Sequence, residues 1–144
     1  MSALELGSLL SDPAQSGAYF IDIRDREALE EAALGLDFAV AVIDCAGCSD
    51  KDEILERFAQ ALRFPDWFGA NWDALEDCLG DLSWWPAKGY VLVLDHIAAW
   101  RGAEPEAFAI LLEILNDAAA SWAEADVPFW AVIPMSAESL PDVQ

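Results

Sequence analysis

The residues whose types and spacing could do chemistry are concentrated between positions 64 and 82, in the segment FPDWFGANWDALEDCLGDL. Trp67 and Phe68 stand in a short predicted loop beside Gly69, a residue type that can adopt backbone angles other residues avoid. Asn71 is a good N-cap residue, so we expect a helix to begin there. The segment therefore predicts an aromatic loop that leads directly into a helix.

Three carboxylates, Asp73, Glu76 and Asp77, follow at i, i+3 and i+4 and share one side of this predicted helix, away from its leucines. Exposed like charges at this spacing cost a few tenths of a kcal/mol per pair. The helix dipole offsets part of this cost at Asp73 but little of it at Asp77. A partner carrying Arg would turn the repulsion into attraction. A merely solvated acidic face is the alternative interpretation at this point.

Cys45 and Cys48 form a C-x-x-C pair between a predicted strand and a predicted helix, the setting of thioredoxin-like redox motifs. No aromatic residue precedes the pair, and it precedes the helix instead of opening it. A small thiol oxidoreductase nevertheless remains the competing enzyme class. Zinc is disfavoured because only Cys78 and a single histidine could complete the ligands. The odd cysteine count also argues against a disulfide framework and for a reducing compartment.

The single histidine, His96, follows Asp95 at a predicted strand end, where it could act as a general base. Neighbouring strand residues point to opposite faces, however, and no Ser or Cys nucleophile is evidently paired with them. We therefore expect no catalytic residues. Trp84 and Trp85 are predicted to pack around Pro86 and not to form a ligand cage.

The charge of the chain is strongly negative, with 27 acidic and 7 basic residues and a net charge of −20. Such a chain repels phosphate backbones and anionic membranes, so we expect no direct nucleic-acid or membrane binding. It would attract a basic protein and speed the encounter at low salt. Seven tryptophans are many for 144 residues, and some are expected at an interface.

The elements that must position these residues alternate between strands and helices. Buried strands are predicted at Phe38–Asp44, Tyr90–Asp95 and Val127–Ile133, the first as a run buried on both faces. Alternation of this kind predicts an α/β fold with a mainly parallel sheet covered by helices. The length fits one domain. The helices are predicted from Asp25 to Leu34, from Asp50 to Pro65 with a stripe of Ile54, Phe58 and Leu62, from Asn71 with a stripe of Leu75, Cys78, Leu79 and Leu82, and from Pro105 through Trp122.

The two ends of the chain are less regular in sequence. The first 17 or so residues are predicted to be a loose lead-in, followed by a short strand at Tyr19–Ile23, and the polar tail beyond Pro134 is predicted to be mobile. We see no secretion signal and no run of 18 apolar residues, so a cytoplasmic protein without a membrane span is expected.

The segment from position 65 to 79 resembles the barstar family, whose motif runs P-[acidic]-[aromatic]-[aromatic]-G-x-N-[apolar]-D-A-L-x-D-C-L. The order of elements from Phe38 to Ile133 is also similar to that family, and the resemblance covers about two thirds of the chain. It implies a barstar-like three-layer fold at 38–144, with residues 1–37 as an extension that adds a strand and a helix. The matching residues are Pro65, Asp66, Trp67, Phe68, Gly69, Asn71, Trp72, Asp73, Ala74, Leu75, Asp77, Cys78 and Leu79.

The resemblance implies a function as well. Barstar-like proteins bind one-to-one to a basic, secreted microbial ribonuclease of the barnase type and plug its active site inside the producing cell. By motif position, Trp67 and Asn71 would pack on the enzyme, Asp73 would pair with basic residues at the rim, and Asp77 would take the place of an RNA phosphate. The implied protein has no cofactor or metal and is a monomer when free. The implied partner-binding residues are Asp66, Trp67, Asn71, Asp73, Glu76 and Asp77.

This sequence departs from the family pattern at two places. Position 76, aromatic in barstar itself, is Glu76 here, which strengthens the acidic face. A further contact acid on the last helix aligns with Ala119 or Ala123, although Glu124 lies close by. An immunity protein for another basic nuclease or toxin therefore stays open as the alternative within the binding class.

Overall fold

The computed structural model describes residues 3–136, with side chains from residue 5 onward. The predicted mobile tail lies outside these residues from position 137. The last strand ends at Met135, so the predicted boundary of the tail is wrong by one residue.

The chain folds into six helices and four strands over the described residues, with short 3-10 turns at Pro13–Gln15 and Ile23–Asp25. The predicted helices and strands all form, with boundaries that move by at most three residues. The elements are α1 (Ala3–Leu10), β1 (Gly17–Asp22), α2 (Arg26–Gly35), β2 (Ala39–Asp44), α3 (Lys51–Leu62), α4 (Trp72–Asp81), β3 (Tyr90–Asp95), α5 (Ala98–Ala103), α6 (Pro105–Glu124) and β4 (Phe129–Met135).

The four strands form one parallel sheet in the order β1-β4-β3-β2. The extra N-terminal strand predicted from the sequence is β1, which pairs with β4 in the register Gly17 to Trp130. Strand β3 lies between β2 and β4, with Tyr90 beside Ala39 and Phe129. The predicted three-stranded core is thus extended to four strands.

Each face of the sheet is covered by its own set of helices, which gives the expected three layers. On one face α3, α4, α5 and α6 pack on residues such as Leu92 and Ala131. On the other face α1 and α2 place Leu10 and Leu29 on Val91 and Val132. Because both faces are covered, β3 and β4 are buried along their whole length.

Two predictions about these elements are wrong. The N-terminal residues are not a loose lead-in, because residues 3–10 form α1, and Leu10 is only 1% exposed against the sheet. Strand β2 is not buried on both faces, because it lies at the edge of the sheet, where Val42 is 41% exposed and Asp44 is exposed. An apolar run alone does not distinguish a central strand from an edge strand.

The short helix α5 was not predicted. Its six residues carry a single large apolar anchor, Trp100, which is buried against Phe108 of α6. None of the helices in residues 3–136 is both long and apolar enough to cross a membrane.

Candidate protein-binding site

Helix α4 is fixed at both of its ends. At the start, Asn71 Oδ1 accepts a 2.8 Å hydrogen bond from the main-chain N–H of Ala74, which confirms the predicted N-cap. At the end, Leu82 adopts a positive φ of 48° and its N–H donates to the oxygen of Cys78. The predicted stripe of Leu75, Cys78, Leu79 and Leu82 is completely buried. The opposite side of the helix must therefore face solvent.

That solvent side carries the three predicted carboxylates, Asp73, Glu76 and Asp77, and all three are exposed. Asp66 in the preceding loop is exposed as well. None of the four forms an ion pair with another residue of the described part of the chain. The site thus presents uncompensated negative charge on a rigid support.

The loop before α4 begins where Arg63 ends α3 with a positive φ of 54°. The N–H of Phe68 then donates to the oxygen of Pro65 over 3.0 Å, which closes a tight turn around Asp66 and Trp67. The unusual backbone angle lies at Ala70, with φ 52°, and not at Gly69 as the sequence suggested.

Gly69 serves a steric purpose instead. A Cβ at this position would lie 3.3 Å from the side-chain nitrogen of Asn71, which is closer than side-chain carbons normally approach. The Asn71 amide nitrogen also lies 3.5 Å from the main-chain oxygen of Gly69. The absence of a side chain at 69 therefore leaves the cap of α4 undisturbed.

Trp67 is the most exposed tryptophan of the site, at 58%. Its ring meets that of Trp84 edge to face, with 6.4 Å between centroids and 84° between planes. Trp84 is half-buried, contacts Phe64 at 6.0 Å, and donates from Nε1 to the oxygen of Leu62 over 2.9 Å. The sequence predicted packing for Trp84 but missed its contact with Trp67.

Two further contacts hold α4 in place. Trp122 of α6 donates from Nε1 to the oxygen of Leu79 over 2.7 Å. Lys51, at the start of α3, places its ammonium 5.9 Å from the ring centre of Trp72. The helix is therefore anchored along its buried side by α6 and near its first turn by α3.

The two positions that align with a contact acid on the last helix differ in burial, and Ala123 is half-buried. Ala119 is 2% exposed within the core, so it cannot contact a partner. Glu124, at the end of α6, is exposed. It lies two residues beyond Trp122, which bonds to α4, and Asp126 just after the helix is exposed as well.

The Cys45 and Cys48 pair is buried, and neither thiol is in a disulfide. Burial raises the pKa of Cys45 to about 12, and it raises the pKa of Cys48 as well. A redox thiol needs the opposite shift, because the thiolate is the reactive form. Cys78 is also buried, with its pKa raised to about 11 by the same cause. The residues from 3 to 136 contain no group of three ligands suited to a metal ion.

His96 lies at the carboxyl edge of the sheet with a positive φ of 56°. Its Nδ1 is 3.0 Å from Asp44 Oδ1 and 3.7 Å from Asp95 Oδ2. Asp95 is engaged by Arg26 of α2 over 2.6 Å, and this bond raises the pKa of the guanidinium. These polar contacts connect the carboxyl ends of β2 and β3 to each other and to the first turn of α2.

The fold and the site together define a class: a parallel three-layer α/β protein that presents an acidic helix and an aromatic loop on one surface. The family model described as Barstar (barnase inhibitor) matches residues 38–134. The chain belongs to the barstar family, a family of inhibitors. A comparison with curated proteins finds no match.

Proposed function

We propose that this protein inhibits a basic, secreted ribonuclease of the barnase type by one-to-one occlusion of its active site. The observation that carries the proposal is the exposed carboxylate face of α4, which forms no ion pair with any residue from 3 to 136 although the opposite face of the helix is buried. Membership of a barnase-inhibitor family supports the same conclusion.

The proposed roles of the acidic residues are those that the family resemblance implies for their positions. Asp73 lies in the first turn and would pair with basic residues at the rim of the enzyme cleft. Asp77 lies one turn further and would enter the phosphate-binding pocket, where Arg side chains bind a carboxylate through bidentate, charge-assisted bonds. Glu76 lies between them on the same exposed side and would add a further charge to the contact.

The loop would contribute contact area and orientation. Trp67 offers a large exposed aromatic surface of the kind that dominates the energy of protein interfaces. Asn71 uses its oxygen to cap α4 and one amide N–H toward Gly69, and its second amide N–H would donate to the partner. Asp66, exposed in the same turn, would steer basic groups toward the site.

The overall charge of −20 would speed capture of a basic enzyme over distances near the Debye length. Such an inhibitor would act in the cytoplasm of the producing cell and would be a monomer before binding. Helices α1 and α2 would take no part in the contact, because they lie across the sheet from α4.

Inhibition of barnase tests the proposal directly. Cleavage of a fluorogenic RNA should stop at a near-equal molar ratio, and light scattering should give the mass of a one-to-one complex. Replacing Cys45 and Cys48 with alanine should leave inhibition intact, whereas reduction of insulin disulfides would support an oxidoreductase. Undiminished cleavage with excess folded protein would exclude this target, and titration against other basic nucleases would then test the immunity alternative.

A further inference from the structure

The exposed side chain of Trp67 would lose conformational entropy when a partner binds over it. It belongs to a tight turn, and a large side chain that rotates freely in solution must lose that freedom when a partner covers it. Preorganisation before binding removes this cost. The ring of Trp84 is the aromatic neighbour that could supply it, at 6.4 Å and 84°.

Trp84 is itself fixed by two contacts outside the loop turn. Its Nε1 donates to the oxygen of Leu62 at the end of α3, over 2.9 Å. Its ring also meets Phe64 at 6.0 Å and 85°, and Phe64 in turn packs on Phe68 at 4.8 Å. An N–H bond combined with an edge contact orients an indole, so Trp84 forms a rigid wall beside Trp67.

We propose that Trp84 is a positioning residue, which holds the Trp67 ring in its binding orientation before the partner arrives. The inference rests on the proposed function, because it assigns Trp84 an indirect part in recognition through Trp67. It also distinguishes Trp84 from its neighbour Trp85, whose ring packs on Tyr90 at 5.4 Å.

The first measurement uses the free full-length protein labelled with 5-fluorotryptophan. The fluorine resonance of Trp67, assigned by its loss in Trp67→Phe, should be shifted from the solvent-exposed value in the unsubstituted protein. In Trp84→Ala it should move to that exposed value. In Trp85→Ala, the matched control, it should not move. Trp84→Phe keeps an aromatic ring without the N–H bond and should give an intermediate shift if the alanine variant folds poorly.

The second measurement is a double-mutant cycle with barnase as the probe. Trp84→Ala should weaken binding by about two- to tenfold, the range expected for ordering one side chain. In the Trp67→Ala background the same change should have no further effect, because the residue to be positioned is absent. Trp85→Ala should leave the affinity unchanged in both backgrounds.

Two results would overturn the inference. One is a Trp67 resonance that does not respond to Trp84→Ala. The other is an equal loss of affinity with and without Trp67, which would show that Trp84 acts by itself. If the unsubstituted protein does not bind barnase, the proposed target is wrong, whereas the fluorine shift still decides whether Trp84 holds Trp67.

Discussion

The Nε1 of Trp122 donates a 2.7 Å hydrogen bond to the main-chain oxygen of Leu79, and so joins α6 to the last turn of α4. The last four carbonyl groups of a helix lack partners within it. In the same way, Trp84 donates to the oxygen of Leu62 at the end of α3, and Trp130 donates to the oxygen of Leu10 at the end of α1. In three helices, a main-chain oxygen near the C-terminal end thus accepts a hydrogen bond from a tryptophan N–H that is distant in sequence.

Replacing Trp122 with phenylalanine should reduce the free energy of unfolding by about 1 kcal/mol, the usual net value of one hydrogen bond. The aromatic ring would remain to pack on Tyr90, whose centroid lies 5.2 Å away. Urea denaturation measures the change. Trp67→Phe, at an exposed position, is the control and should leave the midpoint unchanged. Equal midpoints for both variants would mean that the bond does not stabilise α4.

Replacing Asp77 with alanine should weaken binding to the target ribonuclease by about 2 kcal/mol or more, as expected for an acid desolvated at the centre of an interface. Surface plasmon resonance at several salt concentrations measures the rates. Added salt should slow association far more than it speeds dissociation.

The matched control for Asp77 is Glu31→Ala. Glu31 is also exposed in the middle of a helix, but α2 lies on the other side of the sheet. Both variants lose one negative charge, so only a local contact can separate their affinities. Equal affinities for the two would contradict the placement of Asp77 in the partner's pocket.

The stability of the fold should decline at alkaline pH because of Cys45. Its folded pKa is raised by burial to about 12 from the ordinary value of 9.0. Below pH 9 both states hold the proton, so this group adds no pH dependence there. Between pH 9 and 12 only the unfolded chain releases it, and stability falls by about 1.4 kcal/mol per pH unit.

Urea midpoints at pH 8 and pH 10.5 measure this slope. Cys45→Ala lacks the titrating group, so its midpoint should fall less over the same interval than that of the unsubstituted protein. Parallel slopes in the two proteins would show that the thiol ionises equally well in the folded state.

Arg26 and Arg24 offer a matched comparison of two ion pairs with equal N···O distances of 2.6 Å. Arg26→Ala leaves Asp95 buried without its cation and should destabilise the fold by roughly 2 kcal/mol. Arg24→Ala removes an arginine that is mostly exposed, and should change little. Thermal unfolding distinguishes them, and similar melting temperatures for both variants would contradict a structural role for Arg26.

Removal of residues 1–37 should prevent stable folding, although the family match begins only at position 38. The deletion would uncover an apolar face that includes Val91, Val93, Trp130 and Val132. We expect aggregation in size-exclusion chromatography and loss of near-ultraviolet circular dichroism. A monomeric fragment with native spectra would show that the layer formed by α1 and α2 is not needed for folding.

The sequence predicts α4 and the exposure of its acids because one helix combines a cap residue with a complete apolar stripe. It does not predict that β2 is an edge strand, because its apolar run resembles those of β3 and β4 and the strand order depends on long-range pairing. It also misplaces the unusual backbone angle, which lies at Ala70 and not at Gly69, because residue type alone does not fix which residue of a loop takes a positive φ.

The number of tryptophans does not predict what each of them does in the structure. Their number suggests an interface, but only Trp67 is largely exposed, while Trp84, Trp122 and Trp130 hold helix ends. Trp100 is buried, and its Nε1 has no hydrogen-bond partner among the described residues. Composition cannot separate these uses, because each depends on a carbonyl group or ring that is distant in sequence.

The layer formed by α1 and α2 provides a surface, on the side of the sheet opposite α4, to which a label or linker can be attached. Its outer surface includes Leu34, which is exposed on α2 and points away from the sheet that separates it from α4. A dye or surface linker joined there would leave the acidic helix unobstructed. Protein immobilised through that position would form a uniformly oriented layer with the acidic helix toward the solution.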